Sequence, residues 1–454
     1  MMVSRSVLAL AASVLTTAAC SSTDTDPGTS TGGGAGSAGA TGAGAVGGTG
    51  SPAGGASASG GAAGSLGTSG GSAGALGTGG ATGGTPGTGG AGGANGGAGG
   101  GAAGDGGSGG GGSPTGEGPC DIYNAAGTEC VAAYSTIRRL LSTYTGPLYQ
   151  VRSGSSAQNT GSGGMLHDIP QTADGFADKA AVDTACGSTV CTVAKLYDQS
   201  GKGNDITVAK GGLTNGGEYA DDDDFETIAT KGGLKVGGHD VYALFMEARQ
   251  GYRQTMAGNG MALGDEPQGI YMLADGTRTG TACCWDFGNV TPNPKSYAEM
   301  NTLFLGVAYW GRGAGNGPWF GADFEAGVWM GGSKPGDPGW GGLNDAKDAP
   351  ANSNNPSLKV KYALGFLKTT NSPERYAIRV ADVATATDVT TAYAGNYPST
   401  KHLESKGAVV LGVGGDNSNN SFSTFYEGAI VAGFPDDATE LAVMKNIQAA
   451  KYGQ

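Results

Sequence analysis

One long segment of this chain lacks the material for a folded core. From residue 21 to about residue 118 the sequence consists mostly of Gly, Ala, Ser and Thr, and no charged residue occurs between Pro27 and Gly104. Without large apolar side chains, a segment cannot offset the entropy that it loses on ordering. We therefore predict a disordered linker over residues 20–118, a flexible tether with a root-mean-square reach on the order of 55 Å. A Gly-rich adhesive array is the alternative, but the repeats are irregular and lack aromatic residues.

The first residues have the features of an export signal. Arg5 supplies a positive charge, Val7 to Leu15 form a short apolar run, and small residues follow. This order predicts a signal peptide over residues 1–19, because the apolar run is too short to span a bilayer. Cys20 follows directly, as in a bacterial lipoprotein signal, which predicts lipidation of Cys20. We expect an outer-membrane or cell-surface lipoprotein; an ordinary signal peptide and a secreted protein are the alternative.

The rest of the chain, residues 119–454, is predicted to form one folded domain. Its length suffices for a large core, and no second Gly/Ser linker divides it. The formal net charge of the whole sequence is −13, whereas nucleic-acid binding needs a basic surface. No later stretch is long and apolar enough to span a membrane. We expect a monomer that does not bind nucleic acid and contacts a membrane through its lipid anchor only.

Short apolar runs separated by Gly, Asn, Asp and Pro dominate this domain. They predict an all-β fold, a β-sandwich or jelly roll of the concanavalin-like type, with a few short helices. Helical spacing occurs in Val131–Leu141 and in Thr439–Tyr452. In the second segment, Asp437 and Glu440 resemble a capping box. The acidic run Asp221–Asp224 is interpreted as a solvated loop, with calcium binding as the alternative. The predicted strands include Thr192–Tyr197, Gly269–Leu273, Val360–Phe366, Tyr376–Val380 and Ala408–Val413.

Six cysteines follow Cys20, an even number in a chain that is predicted to be exported. Their spacing favours two disulfide bonds that close short loops and a third between chain neighbours: Cys120–Cys130, Cys186–Cys191 and Cys283–Cys284. A metal site is the alternative. It is disfavoured because no Cys-x-x-Cys motif occurs and the three histidines are scattered along the chain. We expect neither a metal nor another cofactor.

The segment Gly317–Gly327 places two carboxylates on one face of a predicted strand. Side chains of a strand alternate between its faces, so Asp323 and Glu325 share a face with Trp319. Phe324 then lies on the opposite, core-facing side. Two neighbouring acids repel each other, and this arrangement costs stability unless a function uses it. An outer sheet face with solvated acids is the alternative.

A third carboxylate, Asp416, follows a β-run that ends in glycines. Glycine permits close backbone approach, and an acid at such a strand end suits a general acid. An ordinary Asp/Asn turn is the alternative. Glu427 lies in a regularly alternating strand and is interpreted as structural. Paired carboxylates with tryptophans and glycine turns are typical of a carbohydrate site, and glycoside hydrolysis needs two such acids.

Several motifs of residues 119–454 together resemble the catalytic domain of the family 54 glycoside hydrolases, the α-L-arabinofuranosidase B type. The matching motifs, in chain order, are Pro119–Tyr123, Tyr144–Val151, Tyr197–Gly201, Ala282–Asn289, Gly317–Trp319, Ala322–Glu325 and Gly414–Asn419. The resemblance implies a β-sandwich that removes terminal α-L-arabinofuranosyl groups with retention of configuration. The substrate would be a plant cell-wall polysaccharide of the arabinoxylan or arabinan type.

The resemblance also implies roles for individual residues. Glu325 corresponds to the nucleophile and Asp416 to the general acid/base. Retention then predicts a separation of about 5–5.5 Å between their carboxyl groups. The residues implied in sugar binding are Asp323 for the hydroxyl groups, Trp310 as a pocket wall, Gly415 as a backbone contact, and the vicinal disulfide Cys283–Cys284 as a platform. The two loop-closing cysteine pairs correspond to the family's other disulfides.

One position departs from the family. Ala326 stands at a sugar-binding position where the family has Asn, and one lost hydrogen bond is worth about 0.5–1.5 kcal/mol. We therefore expect an altered affinity or sugar preference. A non-catalytic, lectin-like carbohydrate-binding module is the alternative function. A Gly-rich surface adhesin is a third hypothesis.

Overall fold

The computed structural model describes residues 116–213, 219–296, 299–307, 310–324, 327–342 and 346–454. Within these residues the chain forms two large antiparallel sheets packed on each other, two small hairpin sheets and three short α-helices. The predicted all-β sandwich with a few short helices is thus confirmed. The predicted signal peptide, Cys20 and nearly all of the predicted linker lie outside the described residues. None of the described helices is long and apolar enough to cross a membrane.

The elements follow one another in this order: α1 Pro119–Ala125, β1 Cys130–Ser135, β2 Tyr149–Ser153, β3 Met165–Ile169, α2 Lys179–Cys186, β4 Cys191–Leu196, β5 Ile206–Val208, β6 Gly233–Val236, β7 His239–Tyr242, β8 Leu244–Met246, β9 Tyr252–Arg253, β10 Leu263–Gly264, β11 Gln268–Ala274, β12 Asp286–Val290, β13 Met300–Gly306, β14 Trp319–Asp323, β15 Val328–Trp329, a 3₁₀ turn Ala346–Asp348, β16 Ala363–Asn371, β17 Glu374–Asp382, β18 Thr390–Asn396, β19 Ser405–Lys406, β20 Ala408–Leu411, β21 Ser423–Ala432 and α3 Asp437–Ala449.

Two sheets form the sandwich. The seven-stranded sheet has the order β1-β21-β11-β16-β17-β18, with β8 also paired to β21. The ten-stranded sheet has the order β15-β14-β13-β12-β20-β9-β5-β4-β2-β3. Strands that are distant in the chain, such as β9 and β20, therefore become neighbours at the centre of the second sheet. The strand pairs β10–β19 and β6–β7 are the small hairpin sheets.

The main core lies between the two large sheets. On β14, Phe320 and Ala322 point into this core, and Phe324 follows them. Trp319 lies on the opposite face, where it packs with side chains of neighbouring strands. The alternation predicted from the sequence is therefore present. It leaves the outer face of the ten-stranded sheet available for polar groups.

Two local predictions were wrong. Residues Val131–Leu141 are not helical, because the segment up to Ser135 is strand β1, paired with β21 and fully buried. Burial on all sides hides the period by which a strand is distinguished from a helix. The predicted capping box at the start of α3 is also wrong. Asp436 is the N-cap, and its carboxylate accepts a hydrogen bond from Thr439 N at 2.7 Å.

Two disulfide bonds secure the short helices to the sandwich. Cys120–Cys130 joins α1 to the start of β1. Cys186–Cys191 joins the end of α2 to the start of β4. Each disulfide bond closes a short loop, and this closure restricts the unfolded chain more than the folded one. The sequence did not predict either helix, since each has fewer than nine residues.

Glu427 is a structural residue of the core. Its carboxylate accepts hydrogen bonds from Arg138 Nε at 2.6 Å and Nη2 at 2.8 Å. The hydroxyl groups of Tyr452 and Tyr271 also donate to it. Burial opposes the charge on Arg138, but Glu427 outweighs that effect and the pKa of Arg138 lies above its ordinary value. Glu427 thus connects three segments of the core.

We expect Glu427→Gln to lower the free energy of unfolding by about 3–5 kcal/mol, because it leaves Arg138 as a buried charge without a counterion. Urea unfolding measures the change. Glu247→Gln is the matched control, since the ion pair of Glu247 with Lys231 is half exposed and should contribute little. A stability of Glu427→Gln equal to that of the control would contradict the structural role.

Candidate active site

Two carboxylates lie on the outer face of the ten-stranded sheet. Asp323 on β14 is paired with Thr302 on β13, and Thr302 is paired with Gly288 on β12. Asp286 precedes Gly288 by two residues and therefore lies on the same face. Asp323 and Asp286 are both buried. The strand register, rather than chain proximity, brings them to one side of the sandwich.

Asp416 reaches the same site from the end of β20. Its Oδ1 accepts a hydrogen bond from Ser418 N at 2.9 Å, which fixes the turn. A Cβ added at Gly414 would overlap the Ser418 hydroxyl and lie 3.2 Å from Asp416 Oδ1 and 3.4 Å from Cys284 Cβ. The overlap with Ser418 explains why glycine occupies position 414 in this turn. Asn417, the residue after Asp416, has a positive φ of 67°, a conformation that Asn adopts more readily than most residues.

The vicinal disulfide Cys283–Cys284 lies between Asp323 and the turn that carries Asp416. Cys284 N donates a hydrogen bond to Ser418 O at 3.3 Å, and Cys283 Sγ lies 3.9 Å from Ser418 Oγ. Cys284 Sγ lies 3.7 Å from Asp323 Oδ2. The disulfide therefore spans the space between the acid on β14 and the turn after β20. Because the sulfurs are bonded to each other, they do not offer the thiolates that a metal would need.

Of the other predicted site residues, two lie in the described part of the chain and two do not. Trp310 is partly buried and packs on the outer face beside the cluster that contains Trp319. Gly415 lies in the turn after β20, and its carbonyl accepts a hydrogen bond from a buried arginine. The predicted nucleophile Glu325 and its neighbour Ala326 lie outside the described residues. The predicted separation of the two catalytic carboxyl groups therefore stays a prediction.

Asp286 is a buried acid that sequence reasoning missed. It is fully buried, and neither of its side-chain oxygens has a hydrogen-bond partner in the described part of the chain. Burial raises the pKa of Asp286 well above its usual range, and the charges of Asp323 and Asp416 raise it further. The protonated, uncharged form of Asp286 is therefore favoured in the folded domain. Its position two residues before Gly288, on a face shared with glycine, was the available signal.

Arg253 on β9 was also missed. Its guanidinium is buried and donates hydrogen bonds to Gly415 O at 2.7 Å and Thr291 O at 2.5 Å. Burial lowers the pKa of Arg253 to about 10, against the charges of Asp416 and Asp224. Arg253 is consequently still a cation at neutral pH. No motif marks it, because its neighbours follow from the order of the strands.

Asp224 corrects the prediction of a solvated acidic loop. Asp221 and Asp222 are exposed as expected, but Asp224 is buried. Its Oδ1 accepts a hydrogen bond from Asn419 Nδ2 at 2.6 Å. Burial raises the pKa of Asp224 to about 7, although Asn419 and Asn417 oppose the shift. The last member of the acidic run thus supports the turn that carries Asp416.

The chain also matches a known protein family over the residues that form this site. The family described as "Alpha-L-arabinofuranosidase B, catalytic" matches residues 119–453. The chain belongs to this family. The matched range coincides with the described sandwich and contains the vicinal disulfide, Asp323 and Asp416.

Two curated relatives of this chain are fungal proteins. A probable α-L-arabinofuranosidase B of Aspergillus fumigatus is 39% identical over 350 residues, covering 75% of this chain and 63% of the relative. An α-L-arabinofuranosidase of Hypocrea jecorina is 38% identical over 349 residues, covering 75% of this chain and 64% of the relative. The chain thus spans less than two thirds of the length of these curated relatives.

Solved structures share the fold of the arabinofuranosidase B domain. An arabinofuranosidase complexed with arabinofuranosyl-α-1,2-xylobiose is 37% identical, with a TM-score of 0.64 over 74% of this chain and 66% of that chain. A family 54 α-L-arabinofuranosidase soaked with a cyclic sulfate inhibitor is 37% identical, with a TM-score of 0.63 over the same shares.

We expect Asp286→Asn to stabilise the domain increasingly as the pH rises. The raised pKa means that folded Asp286 keeps its proton while the unfolded side chain loses it near pH 3.9, so wild-type stability falls above that pH. The amide has no proton to lose, and its advantage should grow by about 1.4 kcal/mol per pH unit until the folded pKa is reached. Denaturant unfolding of both proteins between pH 4 and pH 7 measures it. A difference that does not change with pH would contradict the raised pKa of Asp286.

Proposed function

We propose that this chain is an exo-acting, retaining α-L-arabinofuranosidase that removes terminal arabinofuranosyl groups from arabinoxylan- or arabinan-type polysaccharides. The observation that carries the proposal is the grouping of Asp323, Asp416 and the vicinal disulfide on one face of a sandwich whose family has this activity in its name. The related structure with arabinofuranosyl-α-1,2-xylobiose supports an arabinofuranosyl substituent on xylan as one substrate.

In the proposed mechanism two carboxyl groups divide the work. Protonated Asp416 donates its proton to the leaving oxygen, while ionised Glu325 attacks the anomeric carbon and forms an arabinosyl ester. The leaving group departs as an alcohol. Water then attacks the anomeric carbon, Asp416 accepts its proton, and Glu325 leaves as a carboxylate. The hydrogen bond from Ser418 N to Asp416 supports this assignment, because it holds the carboxyl group beside the disulfide.

The proposed sugar contacts use the surfaces around these acids. The sulfurs of Cys283–Cys284 form an apolar platform for the C–H face of the ring, and Trp310 forms a wall. Asp323 accepts hydrogen bonds from ring hydroxyl groups, which its distance of 3.7 Å from Cys284 Sγ supports. Gly415 supplies a backbone contact. We infer that Ala326, which lacks the amide of the family's Asn, weakens sugar binding by one hydrogen bond.

A lectin-like module is the second candidate function. Ala326 favours it, because a missing sugar contact is compatible with binding without turnover. The presence of both Glu325 and Asp416 in the sequence favours the hydrolase, since binding alone requires neither a nucleophile nor a proton donor.

We further propose that residues 1–19 are a signal peptide, that Cys20 is lipidated, and that residues 20–118 tether the domain to an outer membrane or cell surface. The charged, apolar and small-residue order before Cys20 supports this proposal. The composition of the tether supports free movement of the domain over an insoluble polysaccharide.

We expect the wild-type domain to hydrolyse both a 4-nitrophenyl α-L-arabinofuranoside and arabinoxylan. Asp416→Asn should lose about 10²–10⁴-fold on arabinoxylan, where the leaving oxygen needs a proton, and much less in the formation of the ester from the aryl substrate. Glu325→Gln should lose activity on both substrates alike, because the nucleophile is needed for either leaving group. Initial-rate kinetics with each substrate measure these losses.

The control for this experiment is Glu247→Gln, which lies in an exposed ion pair and should keep wild-type rates. Proton NMR during the first turnovers should show the α-anomer of arabinose. Release of the β-anomer would contradict retention. A wild-type domain that binds arabinoxylan without turnover would contradict the hydrolase and support the lectin.

We expect the full-length chain, expressed in a diderm bacterium, to partition into the detergent phase of Triton X-114 and to carry a fatty-acyl mass increment. Cys20→Ser should partition into the aqueous phase because it cannot accept the lipid. Detection of both proteins by immunoblot measures the partition. Identical partition of the two chains would contradict lipidation.

A further inference from the structure

The turn that carries Asp416 is held against the sheet by a buried cation. We define the acid/base turn as residues 412–419, from the end of β20 to Asn419. Arg253 lies under this turn on β9, where it pairs with Val410 of β20 and with Thr207 of β5. Its side chain therefore lies on the same outer face of the sheet as the acidic site.

The guanidinium of Arg253 contacts backbone carbonyl groups rather than an acid. Nη1 lies 2.7 Å from Gly415 O and 3.5 Å from Gly414 O, and Nη2 donates to Thr291 O at 2.5 Å. The Gly415 carbonyl belongs to the peptide group whose nitrogen is that of Asp416. A donor on this carbonyl fixes the orientation of the peptide, and with it the direction in which the Asp416 side chain leaves the backbone.

The charge of Arg253 has no contacting counterion in the described part of the chain. Arg253 is 2% exposed, and its Nε has no hydrogen-bond partner among the residues that the structure describes. Other buried arginines of the sandwich are paired, Arg138 with Glu427 and Arg152 with Glu226. A buried unpaired cation costs folding free energy. This cost suggests that the charge serves a purpose at the site that it faces.

The charged groups near Arg253 indicate what its positive charge does at the site. The two acids whose charges act on it are Asp416 and Asp224. The charges of Asp323 and Asp416 both act on the buried Asp286, so these three acids form one cluster. When Asp416 gives up its proton, a further negative charge appears in this cluster of acids. The charge of Arg253 interacts with that of Asp416 and offsets it.

We propose that Arg253 is a positioning residue for Asp416. Arg253 orients the Gly415–Asp416 peptide and stabilises the carboxylate that forms when Asp416 donates its proton. This inference rests on the proposed glycosidase function. It adds two separable effects to the reaction: a geometric effect through the hydrogen bonds to the carbonyl groups, and an electrostatic effect through the positive charge.

The experiment separates these effects with two variants of the full domain. Arg253→Gln removes the charge. Its kcat should fall about ten- to a hundred-fold, with KM changed less than about threefold, because misplacement of a catalytic group acts mainly on the chemical step. The alkaline limb of kcat/KM should move to higher pH by about one unit, since loss of a nearby cation favours protonated Asp416.

Arg253→Lys keeps the charge but not the planar fork of donors. Its alkaline limb should stay within a few tenths of a unit of the wild type, while kcat falls. Arg152→Lys is the matched control, because Arg152 is a buried arginine of the same sheet that also donates to a backbone carbonyl, that of Gly163. The control should lose thermal stability and keep both kcat and the pH profile. Thermal unfolding of every variant establishes that the assays are run on folded protein.

The outcomes distinguish the inference from the function on which it rests. If the wild type is active and Arg253→Gln keeps the wild-type alkaline limb, the electrostatic role is overturned. If both Arg253 variants lose only stability, as the control does, Arg253 is merely structural and the inference fails. If the wild type lacks turnover, the proposed function fails, and the inference fails with it.

Discussion

The alternation of side chains across the ten-stranded sheet is the constraint on which the site depends. One face of each strand must fill the core between the two sheets, as Phe320 and Ala322 do on β14. The other face is then free of that demand, and it carries Asp323, Asp286 and Arg253. Because the core face is rigidly packed, the positions of these charged groups on the outer face are fixed as well.

The outer face is costly to maintain. Within the described part of the chain, Asp286 is an acid without a hydrogen-bond partner and Arg253 is a buried cation without a contacting acid. Asp224 adds a third buried charge-bearing group beneath the turn. Buried arginines elsewhere in the described sandwich are paired with acids, as Arg138 is with Glu427. Unpaired groups concentrated at one place are typical of a functional site, where stability is exchanged for reactivity.

Part of this site was predictable from local sequence because it depends on local rules. The face occupied by Asp323 follows from the two-residue period of a strand, and the exposure of Asp416 to the site follows from glycines after a strand. The Cys283–Cys284 pairing, which the structure contains, was favoured once the other cysteines had nearby partners. The segment after Cys130 was mistaken for a helix because its residues are buried on all sides, which removes the periodic signal.

The sequence by itself determined the class of fold, the faces of the strands and the candidate residues Asp323, Glu325 and Asp416. These properties depend on near neighbours in the chain. Only the tertiary structure decided which groups surround them. Arg253 contacts the carbonyl of Gly415 across 162 residues of chain, because β9 lies beside β20 in the sheet. The pKa shifts of Asp286 and Asp224 likewise arise from burial, and burial is a property of the whole packed domain rather than of any segment.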